Sequence, residues 1–381
     1  MPVVSVEYDP FQHVARFETD ARRRIYRIRC DWLRGAMLPS QRPLAGYAYL
    51  LLGDHPATLI DCGTGEDGYG SQCSHGCDRE LLGGLDLVRT MYKEPFKPTD
   101  IRRIILTHGH IDHAGGTRQM IDLTGREHCD PQQITGRNAP FTEVWCHRYD
   151  SSTFTRYDER AAVANRRFDD FLRHAGVEPE RRRGIIEAFG FVRGRGKPFP
   201  VSRFLKDGEQ FDDITVLHTP GHSPGHICLQ IDGSHIILGD HILARTITQL
   251  WPQQVTPHTG YWHYRNSLDK IAAVAEGKIG LPGHEQVIEN LPQRIELVAR
   301  NHQRRNERIL DILQNHTEPM SIAQIARKMY ISQQPSWALL ALTDIGARIE
   351  YLEQIGAVAV ENFDDLELNR TDVFLYRGVV Q

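Results

Sequence analysis

The segment Thr107-His108-Gly109-His110-Ile111-Asp112-His113 constrains this chain more than any other. Its last six residues hold four side chains able to ligate a metal, and it follows directly on the apolar run Ile104-Ile105-Leu106. A short apolar run closed by a break reads as a buried strand of a parallel sheet. Such sheets hold ligands just outside the carboxyl ends of their strands. His108 and His110 alternate and so point one way from a short loop, while Asp112 and His113 turn towards a neighbouring point. The arrangement suits two cations sharing one loop, one held by imidazoles and the other by a carboxylate and an imidazole.

Two metals need more donors than this loop has, since zinc takes four ligands and a catalytic zinc leaves one place open. Further donors follow at strand ends. Val216-Leu217-His218-Thr219-Pro220-Gly221-His222 presents His222 after a Pro-Gly turn, Ile236-Ile237-Leu238-Gly239 leads to Asp240, and Ile279-Gly280-Leu281-Pro282-Gly283 leads to His284. Each of these donors lies just after a glycine, which allows close approach of the backbone.

On these residues the chain resembles the metallo-β-lactamase-fold hydrolases over roughly residues 45–300. The family's HxHxDH loop is matched at His108, His110, Asp112 and His113, its later ligands at His222, Asp240 and His284, and the Asp closing its early strand at Asp61. The resemblance implies an α/β fold, an αββα sandwich. It implies one ion on His108, His110 and His222 and a second on Asp112, His113 and His284, with Asp240 and a water between them. Two divalent cations are expected, zinc first, with iron or manganese compatible with the same donors. The chemistry implied is hydrolysis by a metal-bridging hydroxide, with Asp112 as the catalytic residue that orients the nucleophile and handles its proton. Asp61 is expected to hydrogen-bond a ligand histidine rather than touch metal. Asp at position 240, where the B1 lactamases carry Cys, points away from antibiotic hydrolysis.

The remaining sequence bounds the setting. No apolar run reaches the ~18 residues of a membrane span, and the N-terminus lacks the basic and apolar segments of a signal peptide. Seven scattered cysteines argue against a disulfide framework and for a reducing cytoplasm. A net charge of −4 gives no overall drive towards nucleic acid or acidic membrane. The basic stretch 20–29 reads as an early strand with a polar face. Cys73, Cys77, His128 and Cys129 are either an extra zinc site or unpaired loop thiols.

Residues 1–300 are read as the catalytic domain, with a helical insertion at about 155–200. Phe168, Phe171-Leu172, Ile185-Ile186 and Phe189 recur there at helical spacing, as either a lid recognising an apolar substrate tail or a plain helix pair. The basic clusters 181–183 and 193–197 are positioned to meet phosphate groups or simply to be solvated. His147, at a strand end, and Tyr261, His263 and Tyr264, after Asp240, are candidate substrate contacts. Residues 301–381 read as three helices and a two-stranded wing, which resembles a small winged-helix-like C-terminal domain. Its place behind such a catalytic domain is similar to the β-lactamase-like 2 group, whose animal member is an endoribonuclease. Residues 336–381 carry three arginines against eight acids, a balance of −5, which opposes binding of a polyanion. The tail is therefore expected to pack or to dimerise rather than to read nucleic acid. The leading expectation is a dinuclear hydrolase acting on a small acyl substrate, a thioester or activated ester. Alternatives are a metal-dependent endoribonuclease and a non-hydrolytic metal or redox sensor.

Overall fold

The structure is a computed structural model that describes residues 7–8, 13–19, 23–31, 45–65, 77–124, 142–193, 196–330 and 335–379. Two sheets face each other. The first has eight strands in sequential order: β1 (Glu7–Tyr8), β2 (Val14–Glu18), β3 (Arg24–Asp31), β4 (Ala45–Leu52), β5 (Thr58–Ile60), β6 (Arg103–Ile105), β7 (Glu143–His147) and β8 (Arg203–Leu205). β1 to β5 pair antiparallel, and β5 to β8 pair parallel. The second holds β9 (Gln210–Phe211), β10 (Ile214–His218), β11 (Ile227–Ile231), β12 (His235–Gly239) and β13 (Ile279–Pro282), with only β12 and β13 parallel.

Period-two alternation decides which layer each side chain enters. In β4, Tyr49 and Leu51 join Ile105, Val216, Leu229 and Ile237 between the sheets, while Ala48, Leu50 and Leu52 face outward with Leu59 and Ile104. That outer face is covered by α1 (Cys77–Thr90) and by α3 (Thr117–Leu123), the latter following the single-turn helix α2 (Ile111–Ala114). On the other side Ile236 and Leu238 of β12 meet a much larger helical layer. The result is the expected αββα sandwich.

The helical layer joins parts of the chain far apart in sequence. α4 (Ser151–Thr155), α5 (Tyr157–His174) and α6 (Pro179–Arg193) form the insertion, followed later by α7 (Tyr261–Ala272) and α8 (Leu291–Gln314). The C-terminal helices are α9 (Ile322–Met329), α10 (Pro335–Gln354) and α11 (Phe363–Glu367), with β14 (Val358–Val360) paired antiparallel to β15 (Tyr376–Gly378). Phe168 and Phe189 of the insertion, Leu238 of the sheet, and Leu339 and Ile345 of the tail belong to one buried cluster. α8 runs without a break through residue 300, and the apolar core is continuous across that position.

The basic stretch does not present a polar face. Arg23 is buried against Asp213, with Nε–Oδ distances of 2.9 and 3.0 Å, and Arg24 pairs with Glu94. Arg27 is buried with its guanidinium 4.1 Å from the Tyr47 ring centre. Their charges are met inside the fold. Of the four residues considered for an extra zinc, Cys73, His128 and Cys129 lie outside the described residues, and Cys77 opens α1. Among the described residues no helix is long and apolar enough to cross a membrane.

Candidate metal centre

The loop after β6 delivers His108 and His110, and the single turn of α2 swings Asp112 and His113 to the adjacent side. His222 arrives from the turn after β10, Asp240 directly after β12, and His284 after β13. Two groups of donors result. His108, His110, His222 and Asp240 form one and Asp112, His113, Asp240 and His284 the other, with the ligand atoms in each within 4.8 Å of one another. All seven sequence-derived donors are thus brought together, and Asp240 is common to both groups. Gly283 is required at this point, because a Cβ there would lie 2.6 Å from both Asp240 Oδ1 and His113 Cε1.

The hydrogen bonds around the centre fix the imidazole tautomers. His222 Nδ1–H donates to the Gln249 carbonyl at 2.9 Å, and His284 Nδ1–H to the Ala45 carbonyl at 3.1 Å. Thr107 Oγ1 donates to Asp61 Oδ2 at 2.7 Å and so accepts from His108 Nδ1–H at 3.0 Å. His113 Nδ1–H donates to the same Asp61 oxygen at 2.7 Å. In all four rings, Nε2 is left to face inward. His108 Nε2 and His222 Nε2 lie 3.1 and 3.0 Å from His110 Nδ1, and His113 Nε2 lies 3.3 Å from His284 Nε2. Asp240 Oδ1 is buried with no hydrogen-bond donor. Inward lone pairs and an unpaired buried carboxylate oxygen repel one another unless a cation lies among them. The residues fit a pair of divalent ions.

Asp61 hydrogen-bonds His113. It is buried with φ of 59°, a left-handed conformation rare outside glycine. Its carboxylate also accepts from Thr107 N at 2.8 Å. It therefore orients His113 directly and His108 through Thr107. Asp61→Asn is expected to weaken metal affinity about 10–100-fold, measured by competition with a chelator; unchanged affinity would contradict this role.

The charge pattern divides the centre. Burial, together with neighbouring histidines, pushes His108 well below its usual range and His110 down to about 3, so these rings stay neutral. Burial also disfavours charge on His113 and His284. Asp240 and Asp112 outweigh it, raising His113 well above its normal value and His284 to about 10. The Asp112–Asp240 side demands positive charge. Protons supply it without metal, so cations must displace them on binding.

Two positioning residues escaped the sequence reading. Buried Asp150 accepts from Gly109 N at 2.8 Å, Ser223 Oγ at 2.7 Å and Gly225 N at 2.7 Å, tying the His110 loop to the His222 loop. Buried His226 accepts from Asp240 N at 3.1 Å and donates towards Thr219 Oγ1 at 2.8 Å. Asp150 acts across 41 to 75 residues and His226 across 7 and 14. The only local hint was a carboxylate just past a strand end and a histidine after a second Pro-Gly pair.

The candidate substrate residues do not reach the centre. A cavity of about 370 Å³ opens onto His110, Asp112, His222, Asp240 and His284, and none of His147, Tyr261, His263 and Tyr264 lines it. His147 stacks on His218 with centroids 3.8 Å apart, and His263 bonds Gln253 Oε1 at 3.0 Å. Tyr261, Tyr264, Leu268 and Ile271 form the buried stripe of α7. That stripe turns inward, where Tyr264 donates to the His241 carbonyl at 2.8 Å and Tyr261 stacks on His302. The cavity's aromatic wall is instead Tyr157 and Phe189 of the insertion with Trp251, and Leu339 and Leu340 of α10 close another side. α10 also grips the centre from behind. Gln249, whose carbonyl holds His222, donates from its side chain to Thr343 Oγ1 at 2.6 Å and to the Leu340 carbonyl at 3.3 Å.

Comparison with known proteins agrees with this geometry. The sequence pattern of the Metallo-beta-lactamase superfamily matches residues 42–125 and 143–284. An atrochrysone carboxyl ACP thioesterase of Aspergillus fumigatus is 32% identical over 154 residues, 38% of this chain and 45% of the relative. The chain thus matches under half the length of that relative. A probable metallo-hydrolase of Bacillus subtilis is 23% identical over 69% of this chain and 78% of its own. A beta-lactamase-like protein 2 homolog of Drosophila melanogaster is 25% identical over 41% of this chain and 50% of its own. In fold, a beta-lactamase domain protein from Burkholderia ambifaria superimposes with a TM-score of 0.65 at 21% identity, covering 98% of this chain and 99% of that one. With more than half its length matching and its donors converging at the strand ends, this chain belongs to the Metallo-beta-lactamase superfamily.

Proposed function

We propose that the protein hydrolyses an acyl thioester or activated ester with a substantial apolar portion, using two divalent cations. The cavity carries this reading: it opens onto five of the seven donors and is walled by Phe189, Trp251, Leu339 and Leu340, the lining expected of a site for an apolar ligand. The Aspergillus relative named as a carboxyl ACP thioesterase supports the thioester class. The insertion helices act as the lid, since Tyr157, Ala161 and Ala164 of α5 face the cavity. The tail acts as a packing element, α10 forming part of the wall.

Bound divalent cations supply ionisation of water near neutral pH and polarisation of the scissile carbonyl. The chain supplies the rest. Asp112 borders the cavity, with Oδ2 3.1 Å from His284 Nε2, and is placed to take the proton of the attacking water and return it to the leaving group. Without metal, burial opposes ionisation of Asp112, but His113 and His284 outweigh it and hold the carboxyl below its usual range, so it is ionised. The apolar wall excludes bulk water from the acyl group.

The test is a substrate panel on protein of defined metal content: medium-chain acyl-CoA, acyl-glutathione, a lactone and single-stranded RNA. Thioester turnover that is lost in Asp112→Asn supports the reading. Cleavage of RNA without thioester turnover would overturn it.

A further inference from the structure

We propose that Arg160 and Arg167 of α5 form an anion site inside this cavity, so that the substrate carries an acidic group on its apolar portion. The inference deepens the proposed function and rests on it for the identity of the reacting bond.

The two arginines are seven residues apart, two turns of helix, and with Tyr157 and Ala164 lie on the stripe of α5 that faces the cavity. Further along the helix the same face carries Phe168, Phe171 and Leu172 into the core, so the cavity is lined by its N-terminal half. Both arginines are half-buried, and among the described residues no carboxylate pairs with either. Four other insertion arginines are paired, Arg156 with Glu159, Arg173 with Asp170, Arg182 with Asp169 and Arg183 with Glu187, while Arg166 and Arg181 are exposed to water. In the basic cluster 181–183, read as either phosphate-binding or solvated, at least two of the charges are already met. Arg160 and Arg167 instead border a largely apolar space, with no carboxylate on either among the described residues. Guanidinium groups beside an apolar space favour an anion and match a carboxylate or phosphate with two parallel hydrogen bonds.

Position sets the length of the substrate. A Cβ on Gly196 would lie 3.0 Å from the Tyr157 ring and 3.4 Å from Ile111 Cδ1, so the start of α5 sits beside the metal loop. Arg160 and Arg167 follow at roughly 4.5 and 15 Å along the helix axis from Tyr157. The substrate is therefore an acyl thioester or ester with an apolar spacer between its reacting carbonyl and a carboxylate or phosphate. In hydrolysis water adds to the acyl carbon, the C–S or C–O bond breaks with its electrons on sulfur or oxygen, and the leaving group takes the proton. The acidic group is unchanged throughout and serves only to anchor.

Calorimetric titration with octyl phosphate, octanoate and neutral octyl glucoside tests the site on metal-loaded protein. Arg160→Gln/Arg167→Gln is expected to weaken octyl phosphate or octanoate by about tenfold or more and to leave octyl glucoside unchanged. Arg160→Lys/Arg167→Lys should recover part of the loss. The tighter of the two acids in the unsubstituted protein identifies the head group. Equal affinity for either acid in both proteins, as expected if the head group sat on the metals, overturns the anion site even if thioesters are turned over. Arginine-dependent binding without turnover of any thioester upholds the anion site and instead contradicts the proposed reaction.

Discussion

Asp240→Ala is expected to lower bound transition metal from two equivalents per chain to one or fewer and to reduce hydrolysis on the order of 10⁴-fold. Among the described residues no other side chain serves both donor groups. Its removal takes an anion from His113, 3.3 Å away, and from His284, 3.4 Å away, at the same time. The fold should survive, because Oδ1 receives no hydrogen bond and the main chain is held independently by His226. Elemental analysis and turnover of the same preparation, with circular dichroism to confirm folding, check this. Two retained equivalents of metal would show that the donor groups do not share Asp240. His147→Ala, in a ring stacked on His218 away from the cavity, should by contrast keep its turnover.

The second large effect is on stability and lies in the tail. Arg348 is fully buried, with its guanidinium on Asp344 Oδ1 at 3.0 and 3.1 Å, Asn306 Oδ1 at 2.9 Å and His302 Nδ1 at 3.0 Å. Tyr330 donates to Asp344 Oδ2 at 2.7 Å. Asp344→Ala leaves a buried cation without its anion and is expected to cost about 3–5 kcal/mol, read from chemical denaturation. Replacing both partners, Asp344→Leu with Arg348→Met, should recover much of that loss. The pH dependence has a definite sign. Burial opposes ionisation of Asp344, Arg348 outweighs it, and the carboxyl is held at about 2. A carboxyl lowered in the folded state stabilises fully above its unfolded value near 4 and loses that contribution as pH falls towards 2, about 2–3 kcal/mol in all. A loss below 1 kcal/mol in Asp344→Ala would show that the cluster does not anchor the tail. Because α10 bears Leu339, Leu340 and Thr343, loosening it should also raise KM.

Donor positions were legible because each is a local event, an apolar strand followed at once by a histidine or aspartate. The insertion was legible for a similar reason: Phe168, Phe171, Leu172, Ile185 and Phe189 mark helical faces by spacing alone, and all five are buried. Direction was not legible. Tyr261 and Tyr264 share a stripe with Leu268 and Ile271, and spacing does not say whether that stripe meets a cavity or a core. The answer depended on the helices of the tail, packed behind α7. Long-range pairing was equally hidden. Arg23 meets Asp213 across 190 residues, and Arg24 meets Glu94 across 70, so a stretch that reads as basic and solvated is internally neutralised. Asp150 and His226 belong to the same class, single residues whose partners only the fold reveals.

Metal stoichiometry is the most direct measurement on the centre. Protein purified without chelator and dialysed against metal-free buffer should hold two transition-metal ions per chain, and removing them should abolish thioester hydrolysis until they are restored. Protein that hydrolyses thioesters equally well with no bound metal would contradict the assignment of His108, His110, Asp112, His113, His222, Asp240 and His284 as a working dinuclear centre.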